Sequence, residues 1–213
     1  MKIKGLLFDL DGVLVNTEHN HFLAWKRTAD SLGIPFGEKE NEELKGVSRV
    51  DSLIKILEFG GKTIDQETFN ELLQSKNAFY LESIKELSEN NLLPGVLDLL
   101  KEATASGIKL GVGSSSKNAK YILSRLNITD YFDCIVDGND VIHPKPHPEV
   151  FLKGAEHVEL SPAECIVFED AASGIQAAKE GGFLAIAVGN KTIAQKADYY
   201  FDDLTQFRLE DYA

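Results

Sequence analysis

Residues 3–13 of the chain read IKGLLFDLDGV, an apolar run that ends in two aspartates separated by one residue. The run Ile3–Phe8 predicts a buried β-strand, and Gly12 permits an unusual backbone conformation in the turn that follows. Ligands of parallel α/β sheets bind at the carboxyl ends of the strands, so Asp9 and Asp11 are expected at the mouth of a site. Two carboxylates this close resist joint ionisation without a cation. Taken alone, the motif also fits a strand-end turn whose aspartates accept hydrogen bonds from backbone amides.

Further apolar runs alternate with helical patterns along the second half of the chain. The predicted strands are Ile3–Phe8, Lys109–Gly113, Cys134–Asp137, Cys165–Glu169 and Leu184–Val188. The predicted helices between the later strands are Val96–Ser106, Asn118–Leu126, Pro148–Val158 and Ala172–Gly181. This alternation indicates an α/β fold with a doubly wound, parallel, Rossmann-like sheet. We expect the strand order 5-4-1-2-3, because strands two and four must flank strand one to bring their polar ends together. The tail after Val188 gives no clear signal.

One long segment departs from that alternation. From about Glu18 to Asn91 the sequence has helical periodicity and no convincing strand. We interpret residues 17–91 as a small α-helical cap domain inserted into a catalytic core formed by residues 1–16 and 92–213. His21 and Lys76 lie on the apolar stripes of these helices. They are either a satisfied core histidine and a lysine whose ammonium reaches solvent, or two side chains that point from the cap into a polar cleft.

Composition excludes several classes of protein. The chain has 213 residues, of which 43% are hydrophobic, and a net charge of −12. That charge argues against a nucleic-acid-binding surface, and no apolar run approaches the roughly 18 residues of a membrane span. Cys134 and Cys165 lack the spacing of metal ligands, so we expect two buried thiols in a reducing cytoplasm. We expect a cytoplasmic monomer with neither a nucleic-acid nor a membrane partner.

Three further motifs follow predicted strands. Glu169-Asp170 would add two acids to the edge of the sheet that carries Asp9 and Asp11, and such a cluster suits Mg²⁺. The segment Ser114–Asn118 opens a helix with hydroxyls and free amides, which can bind an anion. Lys145 lies between two prolines that restrict its backbone. Each motif alone has a plainer interpretation, respectively acids at a helix N-terminus, an N-cap serine, and a solvated lysine in a stiff loop.

Taken together and in order, these motifs resemble those of the haloacid dehalogenase-like phosphotransferase superfamily over the whole chain. The segment from Lys45 to Arg49 is similar to the cap substrate loop of a sugar-phosphate mutase in that superfamily. The resemblance implies that Asp9 attacks phosphorus and becomes an aspartyl phosphate, while Asp11 acts as general acid and base. It also implies a Mg²⁺ cofactor. The implied metal ligands are Asp9, the backbone carbonyl of Asp11 and Asp170, with Glu169 binding directly or through water.

The resemblance also assigns the substrate-binding residues. Ser114 and Lys145 would bind the transferring phosphoryl group. Three other side chains would bind the distal phosphate of the sugar, namely Arg49, Ser116 and Asn118. The remaining candidates would form the cap side of the cleft and couple the cap to the core, and they are Thr17, His21, Lys45, Gly46, Ser52 and Lys76. Thr17 would modulate Asp11 at the hinge. The Ala171-Ala172 pair lacks a hydroxyl that some relatives have there, so substrate preference stays open.

The implied activity interconverts β-D-glucose 1-phosphate and glucose 6-phosphate through an aspartyl phosphate and a glucose 1,6-bisphosphate intermediate. The partners would then be a hexose phosphate substrate and a bisphosphate primer. A Mg²⁺-dependent sugar-phosphate phosphatase that uses the same residues is the alternative. A phosphoacceptor signalling module is disfavoured by the cap and by Asp11. A dehalogenase is disfavoured because such relatives lack an aspartate at the position of Asp11.

Overall fold

The computed structural model describes residues 2–212 and contains one six-stranded parallel sheet. Its strands are β1 Gly5–Phe8, β2 Lys109–Gly113, β3 Cys134–Val136, β4 Cys165–Glu169, β5 Leu184–Val188 and β6 Tyr199–Phe201. The spatial order is β3-β2-β1-β4-β5-β6, and every neighbouring pair is parallel. The predicted order is thereby confirmed for strands one to five. Since β2 and β4 flank β1, their carboxyl ends meet at one edge of the sheet.

The sixth strand is absent from the sequence prediction. β6 has only three residues and extends the sheet beyond β5. Its position depends on aromatic packing with later residues, because the ring centroids of Phe201 and Phe207 lie 6.1 Å apart and those of Phe207 and Tyr212 lie 5.1 Å apart. Such contacts leave no period-two pattern in a three-residue strand, so the local sequence does not reveal it.

The helices of the described residues divide into two sets. The inserted segment contains α1 Glu18–Ser31, α2 Glu38–Glu42, α3 Arg49–Phe59 and α4 Gln66–Ser83. The sheet is covered by α5 Val96–Ala105, α6 Ala119–Arg125, α7 Glu149–His157 and α8 Ala172–Glu180. Side-chain caps fix two helix starts, since Ser48 accepts a hydrogen bond from the Asp51 amide at 3.2 Å and Asp65 accepts one from the Thr68 amide at 2.8 Å. None of the helices in residues 2–212 is long and apolar enough to cross a membrane.

Three buried apolar clusters organise these elements. Successive residues of β1 point to opposite faces of the sheet, so Leu6 and Phe8 join one cluster while Leu7 joins another. The third cluster draws only on the inserted segment, with Trp25 and Ile56 among its members. The helices therefore have a small core of their own, which supports the predicted cap, although the domain boundaries stay a prediction. Cys134 and Cys165 are free and buried, as expected from the sequence.

The chain leaves and re-enters the core at adjacent points. Val15 forms an antiparallel bridge with Leu92, and the Leu93 amide donates a hydrogen bond to the Leu14 carbonyl at 3.0 Å. Residues 15–17 and 89–93, at the two ends of the inserted segment, lie at this junction. It holds the cap helices above the carboxyl end of β1, where the candidate site lies.

Candidate active site

A lysine and two carboxylates form the deepest part of the site. The Lys145 Nζ atom lies 2.5 Å from Asp9 Oδ1 and 2.7 Å from Glu169 Oε1. All three side chains are buried, and the ammonium also lies 4.5 Å from the centroid of the Phe151 ring. Burial disfavours the charged lysine, but the carboxylates of Asp9 and Glu169 outweigh that effect and raise the pKa of Lys145 above its usual value. Lys145 is therefore a fixed cation beside Asp9.

The carboxylate cluster of Asp9, Glu169 and Asp170 carries more negative charge than Lys145 can neutralise. Carboxylate oxygens of Asp9, Glu169 and Asp170 all lie within 4.8 Å of one another. Burial raises the pKa of Glu169 to about 7 although Lys145 opposes the shift, and burial together with Glu169 raises the pKa of Asp170 well above its usual value. A cluster of buried oxygen donors with an uncompensated charge fits a hard divalent cation such as Mg²⁺.

The position of Gly12, beside this carboxylate cluster, requires a glycine. Its φ is +87°, and a Cβ atom added there would lie 2.1 Å from Asp170 Oδ2. Only glycine combines that left-handed backbone with the close approach of the carboxylate. On the other side, the side-chain Nδ2 of Asn190 donates a hydrogen bond to the Asp170 backbone carbonyl at 2.9 Å. Asp170 is thus packed against the turn after β1 and hydrogen-bonded by the loop after β5.

Asp11 lies on the cap side of Asp9. The Thr17 hydroxyl donates a hydrogen bond to Asp11 Oδ1, and His21 Nε2 lies 3.8 Å from the same oxygen. Burial, reinforced by the negative charge of Asp9, raises the pKa of Asp11 to about 7. A carboxyl group with such a pKa can both give and accept a proton near neutral pH, as general acid–base catalysis requires.

The half-buried His21 and the buried Lys76 form a pair in the cap. Lys76 Nζ lies 3.0 Å from His21 Nδ1 and 4.6 Å and 4.7 Å from the ring centroids of Trp25 and Tyr80. Lys76 is only 4% exposed, so its ammonium does not reach solvent. Burial, and then the charge of Arg49, lower the pKa of Lys76 to about 7. Burial and the charge of Lys76 likewise hold the pKa of His21 well below its usual value.

The loop after β2 provides polar groups on the core side. Ser114 Oγ accepts a hydrogen bond from the Ser116 amide at 3.0 Å, and Ser116 Oγ accepts one from the Asn118 amide at 3.2 Å. The Asn118 side chain donates to Asn77 of α4 at 2.9 Å. This last bond joins the core to the cap across the site.

The cations Lys45 and Arg49 on the cap side have different surroundings. Lys45 Nζ lies 3.0 Å from Glu18 Oε1 and 2.9 Å from Glu42 Oε1. Partial burial acts against its charge, but these two partners raise the pKa of Lys45. Arg49, at the start of α3, lines the cavity, and burial lowers its pKa. Arg49 therefore presents a poorly solvated cation that an anionic ligand would stabilise.

Most of the predicted side chains line one cavity between the cap and the core. They are Asp9, Asp11, His21, Lys45, Gly46, Arg49, Ser52, Lys76, Ser114, Ser116, Asn118 and Asp170. Thr17, Lys145 and Glu169 lie behind that surface, in contact with Asp11 or Asp9 or with each other. Sequence reasoning missed several residues that line or brace the site, namely Glu18, Asn41, Asn77 and Asn190. No motif marks these residues, because their positions depend on contacts between distant segments.

The first strand of the parallel sheet leads into two aspartates, and a helical cap encloses them. This arrangement defines a class of α/β enzymes that have a cap and a carboxylate-rich site. The chain belongs to the haloacid dehalogenase-like hydrolase family, whose model matches residues 6–188. The resemblance inferred from the motifs is thereby confirmed at the level of the family.

Individual relatives cover nearly the whole chain. It is 43% identical over 211 residues to the β-phosphoglucomutase of Bacillus subtilis strain 168, a match that covers 98% of this chain and 93% of that protein. The crystal structure of β-phosphoglucomutase from Clostridium difficile superposes with a TM-score of 0.95 at 39% identity, covering 98% of this chain and 95% of that one. A phosphorylated carbohydrates phosphatase of Thermotoga maritima is 33% identical over 183 residues, covering 84% of this chain and 82% of that protein.

Proposed function

We propose that this protein is a phosphotransferase that interconverts β-D-glucose 1-phosphate and glucose 6-phosphate, with glucose 1,6-bisphosphate as primer and intermediate. The observation that carries the proposal is a cavity that has a cation on each side, one directly behind the core wall and one in the cap wall. Lys145 lies beside Asp9 in the core, and Arg49 lies in the cap. A mutase must hold a phosphate at each end of one sugar, whereas a phosphatase needs only one such position. The similarity to two β-phosphoglucomutases supports the same conclusion.

The proposed reaction begins with a phosphoryl group on Asp9. The 6-hydroxyl of β-glucose 1-phosphate attacks phosphorus, the bond between phosphorus and the Asp9 oxygen breaks, and Asp11 accepts the hydroxyl proton. The bisphosphate then reorients, and Asp9 attacks the phosphorus at carbon 1. Asp11 returns the proton to the departing oxygen, which releases glucose 6-phosphate. The pKa of Asp11, raised to about 7, suits both directions of this proton transfer.

The other side chains position the two phosphates. Ser114 and Lys145 would hold the transferring group, since charge stabilisation and positioning dominate phosphoryl transfer. Arg49, Ser116 and Asn118 would hold the distal phosphate, and a guanidinium can bind a phosphate through two parallel hydrogen bonds. Closure of the cap would exclude water from the aspartyl phosphate. Thr17 and His21 would keep Asp11 oriented toward the sugar.

Mg²⁺ is part of the proposal. Asp9, Glu169, Asp170 and the backbone carbonyl of Asp11 would hold the ion, and the buried carboxylate cluster supports that ligand set. When bound, Mg²⁺ supplies positive charge that offsets the charge of the transferring phosphoryl group. The cytoplasmic location and the monomeric state stay predictions.

A sugar-phosphate phosphatase is the second candidate, and the Thermotoga maritima relative supports it. A coupled assay separates the two functions. The protein receives β-glucose 1-phosphate, Mg²⁺ and a trace of the bisphosphate, and glucose 6-phosphate and free phosphate are followed together. We expect glucose 6-phosphate without stoichiometric phosphate release. Release of phosphate with no glucose 6-phosphate would mean that the protein is a phosphatase and not a mutase.

The role of Arg49 gives a separate prediction. We expect Arg49→Ala to lower kcat/KM for the mutase reaction by about 10- to 100-fold, the loss expected when a charged hydrogen-bonding group is removed from a phosphate. Hydrolysis of a simple aryl phosphate, which has no distal phosphate, should change less than about twofold. Arg27→Ala is the matched control, because Arg27 is an exposed cap arginine packed on Phe79. Equal losses in both reactions would show that Arg49 does not bind the distal phosphate.

Metal binding can be tested without activity. We expect saturating Mg²⁺ to raise the thermal unfolding midpoint of the protein by about 5 °C, since ligands that bind only the folded state stabilise it. EDTA should reverse the shift, and Asp170→Asn should abolish it. Asp65→Asn is the control, because asparagine can keep the N-cap of α4. A full Mg²⁺ shift in the Asp170→Asn variant would show that the ion binds elsewhere.

A further inference from the structure

Two serines of the core contact one loop of the cap. This cap loop, residues 43–48, connects α2 to α3. The Ser115 hydroxyl donates a hydrogen bond to the Gly46 carbonyl at 2.9 Å, and the Ser173 hydroxyl donates to the Lys45 carbonyl at 3.4 Å. The two acceptors are consecutive in the chain, whereas the donors come from separate core elements. The loop is thus held at two points.

The backbone of the cap loop is shaped for this contact. Gly46 has a φ of +69°, and a Cβ atom added to it would lie 2.4 Å from Ser173 Oγ and 3.0 Å from the Ala171 Cβ atom. Glycine alone combines this left-handed conformation with so close an approach. The loop therefore fits against the start of α8 only because residue 46 has no side chain.

The contacts link the two ends of the proposed site. Ser115 directly follows Ser114, and Ser173 lies three residues beyond Asp170. On the cap side, Arg49 begins α3 immediately after the cap loop. Fixing the loop to these two core elements therefore fixes the position of Arg49 relative to Ser114 and Asp9. It also keeps the cavity between cap and core covered.

We propose that Ser115 and Ser173 are positioning residues that latch the cap loop to the core and set how the aspartyl phosphate is divided between sugar and water. This inference rests on the proposed function. In both reactions the bond between phosphorus and the Asp9 oxygen breaks, a new bond forms to an acceptor oxygen, and Asp11 accepts the acceptor's proton. The acceptor is the sugar hydroxyl when the latch is closed, and water reaches phosphorus more often when the latch opens.

The test compares Ser115→Ala, Ser173→Ala and the double variant. The ratio of free phosphate to glucose 6-phosphate should rise about threefold for Ser115→Ala, about twofold for Ser173→Ala and about sixfold for the pair, because each hydrogen bond contributes modestly and the 3.4 Å bond is the weaker. Hydrolysis of a simple aryl phosphate should not fall, because the groups around Asp9 are unchanged and water still reaches the aspartyl phosphate. Ser124→Ala is the matched control, since the Ser124 hydroxyl donates to the Tyr121 carbonyl within the single helix α6. An unchanged ratio in the double variant would overturn the proposal.

A second readout does not depend on the mutase reaction. Trp25, the single tryptophan of the chain, lines the cavity and is 3% exposed. We expect acrylamide to quench its fluorescence more strongly in the double variant than in the unmodified protein or in Ser124→Ala. Equal quenching in all three would contradict the latch. If the unmodified protein forms no glucose 6-phosphate, the proposed function fails, while the quenching experiment still decides whether the two serines hold the cap closed.

Discussion

We expect Asp9→Asn to lower the mutase rate by about 10⁴-fold or more, the scale of loss seen when a covalent nucleophile is removed. The amide has nearly the shape of the carboxylate but cannot attack phosphorus, and Lys145 keeps its contact with Glu169. The fold should therefore survive the change. The measurement is the coupled assay together with acid-quenched samples that are analysed for phosphoprotein.

The control for this variant is its unfolding midpoint, which should stay near that of the unmodified protein. A variant that unfolds early would lose activity for a trivial reason. Recovery of a phosphoenzyme from the folded Asp9→Asn protein would refute the assignment of Asp9 as nucleophile.

The second large effect concerns stability. Lys145→Met keeps a side chain of similar length but leaves Asp9 and Glu169 buried without their shared ammonium. Removing one partner of a buried ion pair costs about 3–5 kcal/mol, because the remaining charges stay desolvated. We expect a loss of that size in the free energy of unfolding measured with denaturant and EDTA. Mg²⁺ should recover part of the loss, since it supplies positive charge to the same carboxylates.

Lys4→Met is the matched control for that measurement. Lys4 pairs with Glu164 at 2.6 Å, but its side chain is 55% exposed. An exposed pair contributes about 0–1 kcal/mol, so this variant should unfold nearly like the unmodified protein. Equal losses for Lys145→Met and Lys4→Met would mean that the buried triad contributes no more than a surface pair.

The parts of the site that sequence reasoning identified share one property, which is that they follow strands. Asp9, Ser114 and Glu169-Asp170 come at the ends of β1, β2 and β4, and parallel strands in adjacent positions bring such ends to one edge. Local apolar runs are therefore enough to predict the first five strands, and the polar residues at their ends are what predicts the order of those strands. Their chemical roles stay predictions.

The cap was predicted less completely, because its helices show periodicity but not direction. The sequence alone allows two interpretations of His21 and Lys76, either as core residues or as residues that line a cleft. Burial of Lys76 between Trp25 and Tyr80, with His21 at 3.0 Å, identifies them as a pair that faces the cavity. Such a pairing joins α1 to α4 across 55 residues and has no local signal.

Other features depend on tertiary contacts alone. The bond from Asn190 to the Asp170 carbonyl spans 20 residues, and the contact of Ser115 with Gly46 spans 69. Asparagine and serine are common in turns, where their side chains bond to nearby backbone, so their presence does not announce a distant partner. The short strand β6 belongs to the same category.

A single-turnover experiment shows whether Asp9 carries a phosphoryl group to a sugar. The protein is phosphorylated with glucose 1,6-bisphosphate, freed of small molecules, and mixed with β-glucose 1-phosphate and Mg²⁺. We predict that the phosphoryl group, mapped to Asp9 before mixing, appears in glucose 1,6-bisphosphate and glucose 6-phosphate. Its appearance as inorganic phosphate at the same rate with and without the sugar would contradict the account.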